Sequence, residues 1–157
     1  MRWSATLGFG VARSLRQSFS SVETKYLTED EDERLMETAK GHRWGHRDAT
    51  MILVAYRHGL RASSRLRWDQ IEFRSATLHV RRIKQGTPST HPILGDELRA
   101  LRRLQREQQP KSPFVFTSER GAPFSTAEFA RMVERAGAEA KLPFKAHPHM
   151  LRHANAI

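Results

Sequence analysis

Three histidines and one arginine are concentrated in the seven residues from His147 to His153. The guanidinium of Arg152 presents a planar set of N–H donors that can bind two oxygens of one phosphate group. An imidazole can accept or donate a proton near neutral pH. A helix that begins at Pro148 would place His149 and Arg152, three residues apart, on the same face. This pairing is suited to chemistry on a phosphate ester.

Two further cations occur far upstream, Arg61 directly after a predicted buried helix and Lys84 beside the tip of a predicted β-hairpin. Arg61 and Arg152 together can bind the non-bridging oxygens of a phosphodiester as negative charge develops in the transition state. Lys84 can protonate a leaving oxygen, and His149 can exchange a proton with the nucleophile. Each residue alone is equally consistent with a solvated surface cation, so the hypothesis requires that the fold bring them together.

The histidines also allow a different interpretation, a metal site. His149 and His153 are four residues apart, a spacing found in metal-binding helices. Met150 and Leu151 lie between them, however, so the glutamate of the His-Glu-x-x-His motif is missing. The sequence contains no cysteine and no glycine-rich nucleotide-binding motif. A metal-dependent hydrolase built on the histidine cluster is therefore kept as a secondary hypothesis.

The distribution of charge indicates an anionic partner. The 157 residues carry a formal net charge of +10, and from Arg57 to Lys84 eight lysines and arginines stand against two acids. Such clustering is typical of a nucleic-acid-binding face, although a merely basic protein is the alternative. The residues predicted to contact DNA are Arg65, Arg67, Arg81 and Arg82. No apolar run approaches the roughly 20 residues that span a bilayer, so we expect no membrane partner.

Hydrophobic periodicity and helix caps predict a mostly helical α+β domain with a small antiparallel β element near its middle. Thr28–Glu31 and Ser125–Glu128 have the form of capping boxes, each opening an amphipathic helix. The predicted helices are 28–41, 47–58 with Asp48 as a candidate N-cap, 96–108, 125–140 and one from about 148; the predicted strands are 71–73, 77–84 and 90–93. Pro92 would confine the last strand to a sheet edge.

At these residues the chain resembles the tyrosine recombinases, the phage integrase family. The resemblance rests on Gly59-Leu60-Arg61, the hairpin Lys84 and the His-x-Leu-Arg-His box at His149–His153. Tyr26-Leu27-Thr28 and Arg67-Trp68 agree with the same pattern. The similarity covers about residues 26–157, which would form the catalytic domain. Residues 1–25, rich in Arg and Ser and poor in acids, are predicted to be a disordered leader or a remnant.

The resemblance implies roles for four residues. Arg61 and Arg152 would bind the phosphate, Lys84 would be the general acid on the hairpin, and His149 the acid/base histidine. The family cuts DNA by attack of a tyrosine on the backbone, and a free 5′-hydroxyl then reverses the step without metal or ATP. The expected function is thus site-specific DNA recombination or integration for a mobile element, with no cofactor. Double-stranded DNA and other recombinase protomers are the expected partners, in the bacterial cytoplasm at the nucleoid.

Two departures from the family pattern carry expectations of their own. The family's nucleophilic tyrosine follows the His-x-Leu-Arg-His box, whereas the tyrosines of this chain are Tyr26 and Tyr56. We therefore expect residues 26–157 to lack the family's C-terminal segment and not to cleave DNA alone; a non-catalytic DNA-binding or regulatory module is the alternative. Trp68 comes early relative to Arg61, which would turn Arg65 toward a position that should be apolar.

Overall fold

The computed structural model describes residues 26–59, 65–80 and 89–154, the last three of these as backbone alone. These ranges hold helices α1 (Glu29–Lys40), α2 (Gly45–His58), α3 (Gly95–Glu107), α4 (Thr126–Glu139) and α5 (Pro148–Ala154), and strands β1 (Ile71–Glu72), β2 (Thr77–Val80) and β3 (Ser89–Pro92). A 3-10 turn, Trp68–Gln70, precedes β1. The prediction of a mostly helical α+β domain is confirmed.

Helices α1 and α4 begin at the two predicted capping boxes. The Thr28 hydroxyl accepts a hydrogen bond from the Glu31 backbone N–H at 3.2 Å, and the Glu31 carboxylate accepts one from the Thr28 N–H at 2.9 Å. Ser125 and Glu128 exchange the same pair of bonds at 3.0 and 3.1 Å. Each box satisfies N–H groups that the first turn of a helix leaves without partners.

Helix α2 begins earlier than predicted, and Asp48 is not its cap. The helix begins at Gly45, and Asp48 lies within it, buried, accepting bonds from His42 Nδ1 at 3.0 Å and Arg47 Nη2 at 2.8 Å. A Cβ on Gly45 would lie 2.0 Å from the Lys40 carbonyl oxygen, so the close approach of α1 requires a glycine there. The predicted end is confirmed, because Gly59 has φ +60°, a conformation that favours glycine.

The three strands form one antiparallel sheet in the order β1-β2-β3. Leu78 of β2 is opposite His91 of β3, and Val80 is opposite Ser89. Strand β3 is therefore an edge strand of the described sheet, as Pro92 predicted. Beyond Val80 the predicted second strand runs into residues 81–88, which lie outside the described residues.

Helix α2 is the centre of the core. Every residue from Ala49 to Ala55 is buried, which confirms the prediction of a helix buried on most sides. Helices α1, α3 and α5 all pack against it. The largest fully buried side chains around it include Leu35, Phe116, Leu101, Val133 and Leu151. Because α2 ends at His58, the residues that lead to Arg61 follow directly on this tightly packed helix.

Candidate functional site

Helix α5 presents the His-x-Leu-Arg-His box with His149 toward solvent. Met150 and Leu151 are 8% and 0% exposed and pack into the core, whereas His149 is exposed. The helix begins at Pro148 as predicted, and Arg152 follows His149 by three residues within it. The side chain of Arg152 lies outside the described residues. Since α5 packs on α2 and α4, the box is anchored to the same core as the end of α2.

Arg61 and Lys84 both fall outside the described residues, as do Arg81 and Arg82. The structure does place the ends of the two segments that carry them. Residues 60–64 follow Gly59 at the end of α2, and residues 81–88 join β2 to β3. His58 of α2 and His91 of β3 are in contact, with their Nδ1 atoms 3.2 Å apart. The end of α2 and strand β3 are therefore in contact at these two histidines.

Arg65 is exposed, so the expectation that it turns toward an apolar position is wrong. Leu66, 3% exposed, is buried instead. The expectation assumed a continuing helix, but the backbone at Arg67 is extended, with φ −111° and ψ 150°, and pairs with Phe114. In extended backbone, successive side chains point to opposite sides.

Arg67 is also exposed and lies at a mixed polar and aromatic surface. Its guanidinium is 5.3 Å from the centre of the Phe114 ring, and its Nε is 3.3 Å from an Asp69 carboxylate oxygen. Trp68 and Lys111 line a shallow cleft beside it. The carboxylate of Asp69 therefore partly compensates the charge that Arg67 presents to an anionic ligand.

Arg57, at the start of the predicted basic face, is paired with an acid. Its Nη1 and Nη2 donate to the two carboxylate oxygens of Asp96, at 2.5 and 2.8 Å. This hydrogen-bonded pair raises the pKa of Arg57 above its usual value and lowers the pKa of Asp96. The positive charge of Arg57 is therefore largely compensated by Asp96.

Beside Arg57 lies a buried polar cluster that was not predicted from the sequence. His58 Nε2 is 2.6 Å from Glu97 Oε2, and the side chains of His58 and Glu97 are 4% and 1% exposed. His91 Nε2 is 3.2 Å from the Ser89 hydroxyl. One signal was present in the sequence: Glu97 is four residues before Leu101, on the apolar stripe of α3, where a charged residue is unusual.

Asp32 of α1 is a second buried acid near this cluster. It is 4% exposed, and its Oδ1 has no hydrogen-bond partner among the described residues. Burial raises the pKa of Asp32 to about 7, against the opposing effect of the Arg57 charge. Burial, followed by the charge of Asp32, raises the pKa of Tyr56. A tyrosine with a raised pKa is a weaker source of phenolate nucleophile.

Within the described residues, no three His, Asp or Glu side chains are grouped to hold a metal ion. His147 and His149 stack their rings, with centres 5.3 Å apart and planes 13° apart. The side chain of His153, the third histidine of the metal hypothesis, lies outside the description. No helix of the described part is both long and apolar enough to cross a membrane.

The family model described as "Phage integrase family" matches residues 25–157. The Type 1 fimbriae regulatory protein FimB of Escherichia coli K12 is 32% identical over 146 residues, covering 89% of this chain and 73% of FimB.

Two solved structures share the fold. The crystal structure of XerA recombinase superposes with a TM-score of 0.71 at 26% identity, covering 84% of this chain and 49% of that one. A lambda integrase dimer bound to a COC′ core site has a TM-score of 0.67 at 22% identity, covering 84% of this chain and 50% of that one. This chain thus spans about half the length of both.

Proposed function

The chain belongs to the phage integrase family of tyrosine recombinases, and on that premise we propose that it binds the backbone of double-stranded DNA for site-specific recombination or integration. Residues 26–157 form the part of the catalytic domain that holds the reacting phosphate. The observation that carries the proposal is the placement of α5. This helix buries Leu151, exposes His149 and holds Arg152 one turn later, on a core shared with the end of α2.

The proposed site combines four residues. Arg61 and Arg152 bind the non-bridging oxygens, where their fixed donors match the charge that develops on phosphorus-bound oxygen. Lys84 gives a proton to the leaving oxygen, and His149 exchanges one with the nucleophile. The exposure of His149 and the contact of His58, three residues before Arg61, with His91 of β3 support this assignment.

The nucleophile is proposed to be neither tyrosine of this chain. Tyr56 lies on α2, partly packed against the core, and its pKa is raised. Tyr26 precedes α1, at the opposite end of the sequence from the box. These 157 residues are therefore expected to bind DNA without forming a covalent adduct. A suicide DNA substrate that trapped a protein–DNA adduct with this chain alone would contradict that expectation.

DNA contact is proposed to extend over Arg65, Arg67, Arg81 and Arg82. Arginines that contact phosphates position a protein on the duplex but read little sequence. We therefore expect weak binding with little sequence preference. The proposed setting is the bacterial nucleoid, with other recombinase protomers on the same DNA, and no cofactor is needed for backbone chemistry of this kind.

The test compares Arg152→Ala with Arg131→Ala in duplex DNA binding measured by fluorescence anisotropy. Both variants lose one positive charge, but Arg131 is an exposed residue of α4 to which no DNA contact is assigned. We expect Arg152→Ala to weaken binding roughly tenfold, as loss of a charge-assisted phosphate contact does. Equal dissociation constants for the two variants would contradict the proposed site.

A non-catalytic regulatory module is the second candidate, favoured by the fact that the relative FimB is named a regulatory protein. In that case DNA occupancy alone would produce the biological effect. Retention of the biological effect by Arg152→Ala, at a protein concentration that restores DNA occupancy to the wild-type level, would favour the regulatory module over recombination.

A further inference from the structure

The exposed face of α3 carries a stripe of arginines. Residues three, four and seven positions after a first residue lie beside it on one face of a helix. Four exposed arginines of α3 have this spacing: Arg99, Arg102, Arg103 and Arg106. The buried residues of the same helix include Leu101 and Leu104. The arginines, called here the α3 arginine stripe, extend over about 10 Å of the helix axis, since a helix rises about 1.5 Å per residue.

The α3 arginine stripe opposes the stability of its own helix. Arg99 lies three and four residues before Arg102 and Arg103, and Arg106 lies four and three residues after them. Like charges at these spacings repel each other and destabilise a helix. Arg103 is paired with Glu107 at 3.1 Å, but both side chains are 54% exposed, so solvent screens their attraction. An anionic partner that lay against the stripe would relieve the repulsion.

The α3 arginine stripe is continuous with the surface around Arg67. The guanidinium of Arg102 lies 5.7 Å from the centre of the Phe73 ring, and Phe73 stacks on Trp68 with the ring centres 6.4 Å apart. Lys111, which follows α3, lines the same cleft as Arg67 and Trp68. From residue 99 to residue 111, five lysines and arginines stand against one acid. The stripe, the cleft and Arg67 therefore form one basic surface.

The backbone of duplex DNA fits this surface better than a protein partner does. Stable protein interfaces have an apolar centre with aromatic anchors. Among the described residues, the large hydrophobic side chains that are exposed, Tyr26, Trp44 and Leu94, lie outside the stripe. Duplex DNA carries one negative charge per about 1.7 Å of its axis, so about six charges lie along a length equal to the stripe. Arginine is also the side chain best suited to bind two oxygens of one phosphate.

We propose that the α3 arginine stripe is a further contact surface for the DNA backbone, which binds the duplex that flanks the segment held at the proposed site. This inference rests on the proposed function, since Arg67, at the end of the same basic surface, is assigned there to the DNA face. Contacts with phosphates fix the position and orientation of a protein on the duplex without reading its sequence. The stripe thus lengthens the DNA segment that one copy of the chain covers, and it raises affinity only for duplexes long enough to reach it.

Substitutions to glutamine remove charge from the α3 arginine stripe while keeping the helix. Glutamine has nearly the helix propensity of arginine, so Arg99→Gln/Arg106→Gln should have an unchanged or higher melting temperature once the repulsion is relieved. Lys40→Gln/Arg131→Gln is the matched control, because it also removes two charges from exposed helical positions, on α1 and α4. Arg102→Gln, in the middle of the stripe, is an independent variant that removes one charge.

The measurement is the fluorescence anisotropy of labelled duplexes of about 12 to about 40 base pairs, titrated with each variant at several salt concentrations. On the longest duplex, we expect Arg99→Gln/Arg106→Gln to bind roughly tenfold more weakly than the control variant, because two phosphate contacts are lost. The slope of log affinity against log salt should be smaller by up to about 2, and by up to about 1 for Arg102→Gln. On the shortest duplex, the stripe variants and the control should bind equally.

The outcomes separate the inference from the proposed function. If the wild type shows no salt-dependent affinity at any duplex length, the proposed function fails. If it does, but the stripe variants match the control at every length, the inference is overturned while the proposed DNA site stands. An equal loss of affinity at every length also overturns it, because the stripe would then belong to the principal site.

Sedimentation velocity without DNA tests a different partner for the α3 arginine stripe, a second copy of the chain. Helix α1 presents the exposed acids Glu29, Asp30 and Glu33, which could pair with arginines of another copy. We expect the wild type and the stripe variants to sediment alike at low salt. Self-association that is lost in the stripe variants, together with unchanged DNA affinity, would overturn the inference in favour of a contact between copies.

Discussion

The buried acid Asp32 predicts a pH-dependent loss of stability that one substitution should remove. Its carboxyl group is 4% exposed, and burial raises its pKa from 3.8 to about 7. The folded state therefore holds a proton that the unfolded state releases above pH 3.8. Stability falls as pH rises through the window from 3.8 to about 7, and the full cost is present above it.

The size of this loss of stability follows from the difference between the two pKa values of Asp32. Each unit of pKa difference corresponds to about 1.4 kcal/mol, so ionising Asp32 costs the folded state about 4 kcal/mol at pH 8. At pH 5 only the first part of the window has been crossed, and less than half of that cost is present. Asp32→Asn keeps the shape of the side chain without its charge. We expect the stabilisation by this variant, relative to the wild type, to be about 3 kcal/mol larger at pH 8 than at pH 5.

The assay is urea unfolding of the wild type and the variant at both pH values, followed by circular dichroism. Asp30→Asn is the matched control, since Asp30 lies in the same first turn of α1 but is exposed. Its effect should be small and similar at the two pH values. An Asp32→Asn effect that is equal at pH 5 and pH 8, or destabilisation at pH 8, would refute the reasoning.

Three further predictions concern the second capping box, the contact of Gly137 in α4 with Ala146 just before the histidine box, and the DNA face. Ser125→Ala should lower the free energy of unfolding by about 1 kcal/mol in urea titration, because the bond from the Glu128 N–H to the Ser125 hydroxyl is lost; Thr126→Ala, the adjacent control, should change it little. Gly137→Ala should destabilise by about 1–3 kcal/mol, since the new Cβ would lie 2.7 Å from the Ala146 Cβ. Adding Ala146→Gly should restore part of that stability, and an additive double variant would contradict the contact. Arg67→Ala should reduce the slope of log affinity against log salt by up to about 1 in anisotropy titrations, whereas Arg131→Ala should leave it unchanged.

Much of the fold could be predicted because its determinants are local. The capping boxes at Thr28 and Ser125, the glycine after His58 and the proline in β3 each act within a few residues. The orientation of α5 was equally accessible, since Met150-Leu151 had to face the core and His149 then faced outward.

What could not be predicted depends on contacts between distant segments. Helix α2 begins at Gly45 rather than at Asp48, and the close approach of the end of α1, which leaves no room for a side chain at 45, was not evident from the sequence. The pairing of Arg57 with Asp96 joins residues 39 positions apart, which periodicity does not predict. The burial of Asp32 could not be predicted from periodicity, which places acids toward solvent, whereas Glu97 could have been recognised from its position on the apolar stripe of α3.

The central claim, binding to the DNA backbone, is tested most directly by the salt dependence of duplex affinity for the unmodified chain. With about four phosphate contacts, affinity should fall roughly 100-fold between 50 and 200 mM NaCl, because each contact releases condensed counterions. Anisotropy of a labelled duplex, measured at several salt concentrations, gives the slope. A steep linear fall with log salt is the predicted result, and an affinity that stays constant across this range would contradict the claim.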